Sequence, residues 1–199
     1  MAPNRIVAPH RREEIVQATI RCLARDGYTR FTMKTLAREA NLSQGILHYY
    51  FNDKAAILVA ALQAVTAELE RRITQAQQAS TKDATRRLRA VIHACLETAL
   101  ECPEVWQVYM QLWSEMRHNE QLLAINAALY TQMRRQVATL LTLGLRQGIF
   151  RSVDVTQAAA VIVGLIDGMA LQIMFDPQAL SLATAVQCCY EAVERYLRP

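Results

Sequence analysis

The stretch from Phe31 to Lys54, FTMKTLAREANLSQGILHYYFNDK, constrains this chain more than any other, because it spells two short helices joined by a very tight turn. Met33, Leu36, Ala37 and Ala40 fall at i, i+3, i+4 and i+7 and give the first helix one apolar stripe, with Thr32 placed to cap its free N–H groups. Asn41 ends that helix, since Asn tolerates the left-handed conformation that a sharp helix-to-helix turn needs, and Ser43 is a preferred N-cap for the second. In the second helix Leu47 and Phe51, one turn apart, anchor inward and leave Gln44, Gly45, His48 and Tyr49 on the opposite side.

That outer face is polar and aromatic, a chemistry suited to a DNA groove. A Gln side chain pairs bidentately with adenine, Gly45 lets the backbone come close, and Tyr or His contacts a phosphate oxygen or a thymine methyl. Lys54, opening the next helix, is placed for phosphate, and Lys34 and Ser43 complete the set expected to face the duplex. The competing reading is a small helical hairpin in which Tyr49 and Tyr50 fill a core and His48 is a solvated surface residue.

Charge supports the first reading. The formal net charge of +4 sits wholly in the first quarter: residues 1–54 carry nine Lys and Arg against five Asp and Glu (9 − 5 = +4), and residues 55–199 carry thirteen of each. Arg5, Arg11 and Arg12 lie ahead of or in the first helix, and Arg30, Lys34 and Arg38 surround the two-helix segment, as expected where a chain faces a polyanion. Cys22, Cys95, Cys102, Cys188 and Cys189 form no C-x-x-C pair, and their odd number fits no closed disulfide framework, which implies a reducing cytoplasm. The adjacent Cys188 and Cys189 read either as a redox pair or as buried thiols on a helix. The histidines have no metal-ligand spacing, and no Gly-rich phosphate loop, G-x-S-x-G or H-E-x-x-H is present, so neither a metal, a cofactor nor an enzyme is expected.

Helical periodicity runs nearly throughout without β-branched alternation, which predicts an all-α fold of about nine helices. Ile15, Ala18, Thr19, Cys22 and Leu23 mark a helix ended by Gly27, so residues 1–54 form a three-helix head and residues 55–199 a separate helical body. After Asp53, a plausible cap, an uninterrupted stripe predicts one helix of roughly 25 residues, about 38 Å long. Further starts are signalled by Thr81, Pro103, Asn119 or Glu120, Asp154 with Gln157, and Asp176-Pro177, while Gly148 closes a long helix. The string Ala158 to Phe175 is nearly all apolar but short for a membrane span and carries Asp167 and Gln172; it predicts a helix buried on all sides. No charged-then-apolar signal segment opens the chain.

Two features of the body suggest binding surfaces. A helix from Pro103 to Arg117 gathers Trp106, Tyr109, Met110, Trp113 and Met116 mostly on one face, which suits either plain core or a cavity for a flat, apolar or cationic ligand. For a quaternary ammonium the aromatic rings supply π faces and Asp167 or Glu115 a counter-charge; the alternative for Asp167, and the favoured one, is a buried carboxylate tied to a backbone or dimer-interface donor. Gly164 and Gly168, one turn apart, allow two helices to approach closely, and with Val186 and Val193 of the last helix they outline an interface between two copies, intramolecular packing being the alternative for the glycines.

The segment around the turn resembles the TetR family of one-component repressors. Thr32, Ala37, Ala40, Ser43, Gly45, Leu47, Tyr50, Phe51 and Lys54 stand where that pattern wants them, whereas Asn41-Leu42 replaces Gly-Val and His48 replaces the usual Tyr. The strings QLWSEMRHNEQLL and VIVGLIDGMALQIMF are similar to the BetI-type branch, whose namesake responds to choline. The resemblance implies a homodimer that binds double-stranded DNA, with Gln44, Gly45 and Tyr49 base-facing and Thr32, His48, Tyr50 and Lys54 on the backbone. It also implies a cavity for a small effector, choline-like if the branch holds, and dimerisation through the last two helices. A helical carrier whose head no longer reads DNA is the rival from another class.

Overall fold

The structure, a computed structural model, describes residues 7–79 and 83–198. Arg5 and the helix start expected at Thr81 lie outside the described residues. Nine α-helices and no strand occur among them, as the periodicity predicts: α1 Val7–Asp26, α2 Met33–Glu39, α3 Gln44–Tyr50, α4 Lys54–Ala79, α5 Ala84–Glu101, α6 Pro103–Trp113, α7 Glu120–Arg146, α8 Val155–Phe175 and α9 Leu182–Leu197. Single 3₁₀ turns stand at Tyr28–Arg30 and Glu115–Arg117.

Short side chains set the boundaries. Gly27, at φ 75°, ends α1 with its N–H bonded to the Leu23 carbonyl at 3.0 Å. Thr32 and Thr35 close a reciprocal box, each backbone N–H bonded to the other's hydroxyl at 2.9 and 3.1 Å. Asn41 takes φ 53° between α2 and α3, the left-handed geometry that only Gly and Asn adopt cheaply. Asp53 accepts from the Ala56 N–H at 2.8 Å, Asn119 from Gln121 and Leu122, and Asp154 from Thr156 and Gln157.

Two boundaries, the start of α9 and the end of α6, differ from the sequence reading. The N-cap of α5 is Asp83, whose carboxylate accepts from Thr85 and Arg86. Asp176-Pro177 does not open the last helix: Asp176 ends α8 and closes a turn with Ala179, and Ser181 caps α9 through the Thr184 N–H at 3.2 Å. The helix expected to reach Arg117 stops at Trp113 and tightens into the 3₁₀ turn that buries Met116, a common way for a helix to finish.

The chain divides into two compact units. One holds the described residues through Ala67 together with Glu104–Asn126, and the other holds Glu68–Pro103 with Ala127 onward. Both α4 and α7 therefore pass from one unit into the other along the backbone. In the first unit α1 packs on α2 and α2 on α3 around Ile15, Leu23, Phe31, Leu36, Leu47 and Ile57. In the second, α8 packs against α5 and α9 through apolar side chains such as Ile92, Leu96, Ile162, Ile166 and Leu197.

α8 is not buried on all sides. It is long and apolar enough to cross a membrane by length and composition, but only one stripe of it, including Ala159, Ile162, Val163, Ile166 and Ile173, is buried against its neighbours. Val161 and Phe175 remain 57% and 72% exposed, because hydropathy records how apolar a helix is and not how many of its faces its own chain covers.

Candidate functional site

α3 is the shortest route from sequence to chemistry. Leu47 and Phe51 are buried in the first unit, so they fix the rotation of the helix about its axis. Gln44, Gly45 and His48 are thereby exposed, and Tyr49 is 76% exposed. The helix is pinned at its start by Ser43, itself exposed, whose hydroxyl accepts from the Ile46 N–H at 3.3 Å. Thr32 and Lys34, at the start of α2, are also exposed.

Tyr50 and Lys54 sit differently. Tyr50 is half-buried against the core of its unit and receives the Tyr49 ring edge-on at 5.1 Å. Lys54 is half-buried, with its Nζ 4.1 Å from the centre of the Tyr28 ring and 5.5 Å from that of Phe31. Burial pushes its pKa down, and the nearby Glu115 opposes that shift. Glu115 also hydrogen bonds Tyr28 and raises its pKa after burial has done so. Glu115 thus interacts with Tyr28 and Lys54 within the first unit.

One neighbour was not singled out by sequence reasoning, and another was named there only for its charge. Ile46 is 42% exposed on the outer face of α3, and Arg11 of α1 borders the same shallow concavity as Gly45, Ile46 and Tyr49. The spacing of three between Ile46 and Tyr49 was the available signal, masked because an Ile beside Leu47 reads as core.

The α6 stripe is split by depth. Val108 and Leu112 are fully buried, whereas Trp106, Tyr109 and Met110 are half-buried and Trp113 is exposed. The Trp106 and Tyr109 rings meet edge-on at 5.9 Å, and Tyr109 and Trp113 are tilted at 6.3 Å. The Tyr109 hydroxyl donates to the Asn126 side-chain oxygen. The indole N–H of Trp106 is shielded from solvent yet finds no acceptor among the described residues.

Asp167 belongs to the second unit, where burial pushes its pKa up and a hydrogen bond from Tyr130 pulls it down. Gly164 and Gly168 on α8 have no atom within 4 Å of where a Cβ would stand, so open space lies beside them and their own chain does not use the close approach they permit. Val186 and Val193 are instead turned into the core of the second unit. Sequence reading set them in an interface between two copies; within one chain α9 is amphipathic and its apolar stripe is taken up by internal packing. Cys189 is buried and its thiol pushed up to about 11, whereas Cys188, one step round the helix, is exposed.

A polar recognition helix held on two buried anchors after a tight turn defines a helix-turn-helix DNA-binding regulator. Residues 15–61 match the model for bacterial regulatory proteins of the tetR family, and residues 84–198 match that for the C-terminal part of BetI-type transcriptional repressors. The chain belongs to the TetR family and carries a BetI-type repressor body.

Individual relatives agree. The HTH-type transcriptional regulator BetI of Burkholderia ambifaria is 28% identical over 162 residues, 81% of each chain. A transcriptional regulator from Saccharomonospora viridis, crystallised with choline, is 25% identical with a TM-score of 0.86, covering 96% of this chain and 99% of the other. A TetR regulator from Haloarcula marismortui shares the fold at a TM-score of 0.86 and 23% identity, covering 96% and 100%.

Proposed function

We propose that this ligand-responsive repressor, working in the cytoplasm, grips each half of a two-fold operator through α3. Gln44, Gly45 and Tyr49 enter the major groove, and Thr32, Lys34, Ser43, His48, Tyr50 and Lys54 hold the sugar-phosphate backbone. The exposure of Gln44, Gly45, His48 and Tyr49 over the buried Leu47 and Phe51 is the observation that carries this reading, since a hairpin core would have swallowed the same side chains. No catalytic step is invoked. The working division is a head of residues 1–54 and an effector-binding, dimerising body of residues 55–199.

The effector proposed is a small cation of the choline type, seated on the aromatic face of α6. Trp106, Tyr109 and Trp113 offer π faces, each worth ~0.5–2 kcal/mol to a cation. The orphan indole N–H of Trp106 offers a donor that a ligand oxygen satisfies, offsetting a desolvation cost of ~1–3 kcal/mol. The choline-bound relative supports the same chemistry. Two copies are proposed to meet through the exposed face of α8, where Gly164 and Gly168 stand open beside Val161. An effector that couples to DNA binding by ~1–3 kcal/mol changes operator affinity about 5–150-fold.

Fluorescence anisotropy on a selected operator, with and without millimolar choline, tests the reading. The expected result is salt-sensitive binding that choline weakens. Calorimetry that finds no choline binding at millimolar concentration removes the cationic effector, and binding that is blind to both salt and sequence removes the DNA assignment.

A further inference from the structure

Among the described residues before Ala67, the exposed large hydrophobic side chains are Ile46, at 42%, and Tyr49, at 76%. Both stand on the outer face of α3, three positions apart, so their Cβ atoms are about 5–6 Å from each other. Neither is needed for packing, because Leu47 and Phe51 already anchor the helix. Both are nevertheless held in place. The Ile46 N–H is bonded to the Ser43 hydroxyl at 3.3 Å and carbonyl at 3.1 Å, and branching at its Cβ leaves one strongly preferred helical rotamer. Tyr49 packs against the Tyr50 ring in a T-shaped pair at 5.1 Å. Beside them Gly45, one turn before Tyr49, leaves the backbone bare, with only the Ser43 hydroxyl within 4 Å of a Cβ, at 3.8 Å. Arg11, its guanidinium 2.7 Å from Glu14, borders the same concavity.

We propose that Ile46 and Tyr49 read the methyl groups of thymines in two successive base pairs, making a thymine-containing step a specificity element of each operator half-site. The inference rests on the major-groove reading above and adds to it the chemistry of two positions. Thymine is the base that presents an apolar group on the major-groove edge, so it is the partner that matches an exposed hydrophobic pair. Bases follow one another every 3.4 Å along a strand, a step that side chains one helical turn apart can straddle. Ile46 has no polar atom and contributes only such contact, which makes it a specificity-determining residue distinct from Gln44.

The operator is first selected from a randomised duplex library with the full chain. Each thymine is then replaced by uracil, which removes the methyl and leaves base pairing intact, and affinity is read by anisotropy. Two successive positions per half-site are expected to lose about fourfold each, the equivalent of ~0.8 kcal/mol per buried carbon. Ile46→Ala, unchanged in circular dichroism because Ile46 is outside the core, is expected to bind the thymine and uracil duplexes alike at one of those positions, with Ile46→Val intermediate. Equal binding of thymine and uracil operators by the unmodified chain overturns the inference while leaving the repressor intact. A methyl dependence that survives Ile46→Ala unchanged overturns the role of Ile46. Enrichment of no sequence at all overturns the DNA reading and this inference together.

Discussion

Side chains on α3 divide by what they touch, and the division predicts different losses. Gln44 is exposed, so Gln44→Ala is expected to relax preference at one base position by ~1–3 kcal/mol with little change in stability. Lys54 stacks on Tyr28 and Phe31, so Lys54→Ala is expected to weaken binding on every sequence, flatten the salt slope by about one, and also lower the unfolding midpoint, because a cation–π contact of ~0.5–2 kcal/mol goes with it. Asp167 is the residue whose effect should depend on pH. Burial raises its folded-state pKa above the ordinary value of 3.8, so the folded chain binds the proton more tightly than the unfolded one. The stability tied to that proton is complete below the ordinary value and lost as pH rises through the raised one. Asp167→Asn, which keeps the shape without the charge, is therefore expected to melt higher than the parent at pH 7, with the difference shrinking in acid; thermal scans at several pH values check the sign.

At the scale of the element, caps and turns carry the fold, and most of them could be read in advance. Thr32, Asn41, Ser43 and Gly27 act through their own backbone geometry, which local sequence specifies, and their positions follow from residue type alone. The start of α9 was harder, because Asp176-Pro177 carries a helix-opening signature while the structure spends Asp176 on the end of α8 and opens α9 from Ser181. Choosing between two adequate caps depends on where α9 must lie against α5 and α8, which is tertiary information. Depth was equally hidden. Periodicity located the apolar stripes of α8 and α9 but could not say that Val186 and Val193 face the chain's own core or that Val161 does not. Gly144 shows the same limit: a Cβ there would fall 2.1 Å from ring carbons of Phe150, a contact that nothing in the sequence announces. Gly144→Ala is expected to cost ~1–3 kcal/mol by displacing that ring, measured as a drop in the urea midpoint without loss of slope.

For the whole molecule the account requires two heads at fixed spacing, since half-sites of such operators lie about 34 Å apart. The exposed apolar strip of α8 is where a second copy is proposed to sit. Val161→Glu, which would bury an unpaired charge there, is expected to give a monomer in sedimentation and to weaken operator binding by more than tenfold while leaving the helical signal intact. Everything nevertheless turns on α3 facing a duplex. The most direct test is selection from a randomised duplex library with the full chain, repeated with Tyr49→Ala and Gln44→Ala. The account predicts an inverted repeat whose half-sites sit one helical turn or a multiple of it apart, with the consensus altered by each substitution at distinct positions. Recovery of no preferred site, or of one site that both variants bind as the parent does, would contradict it.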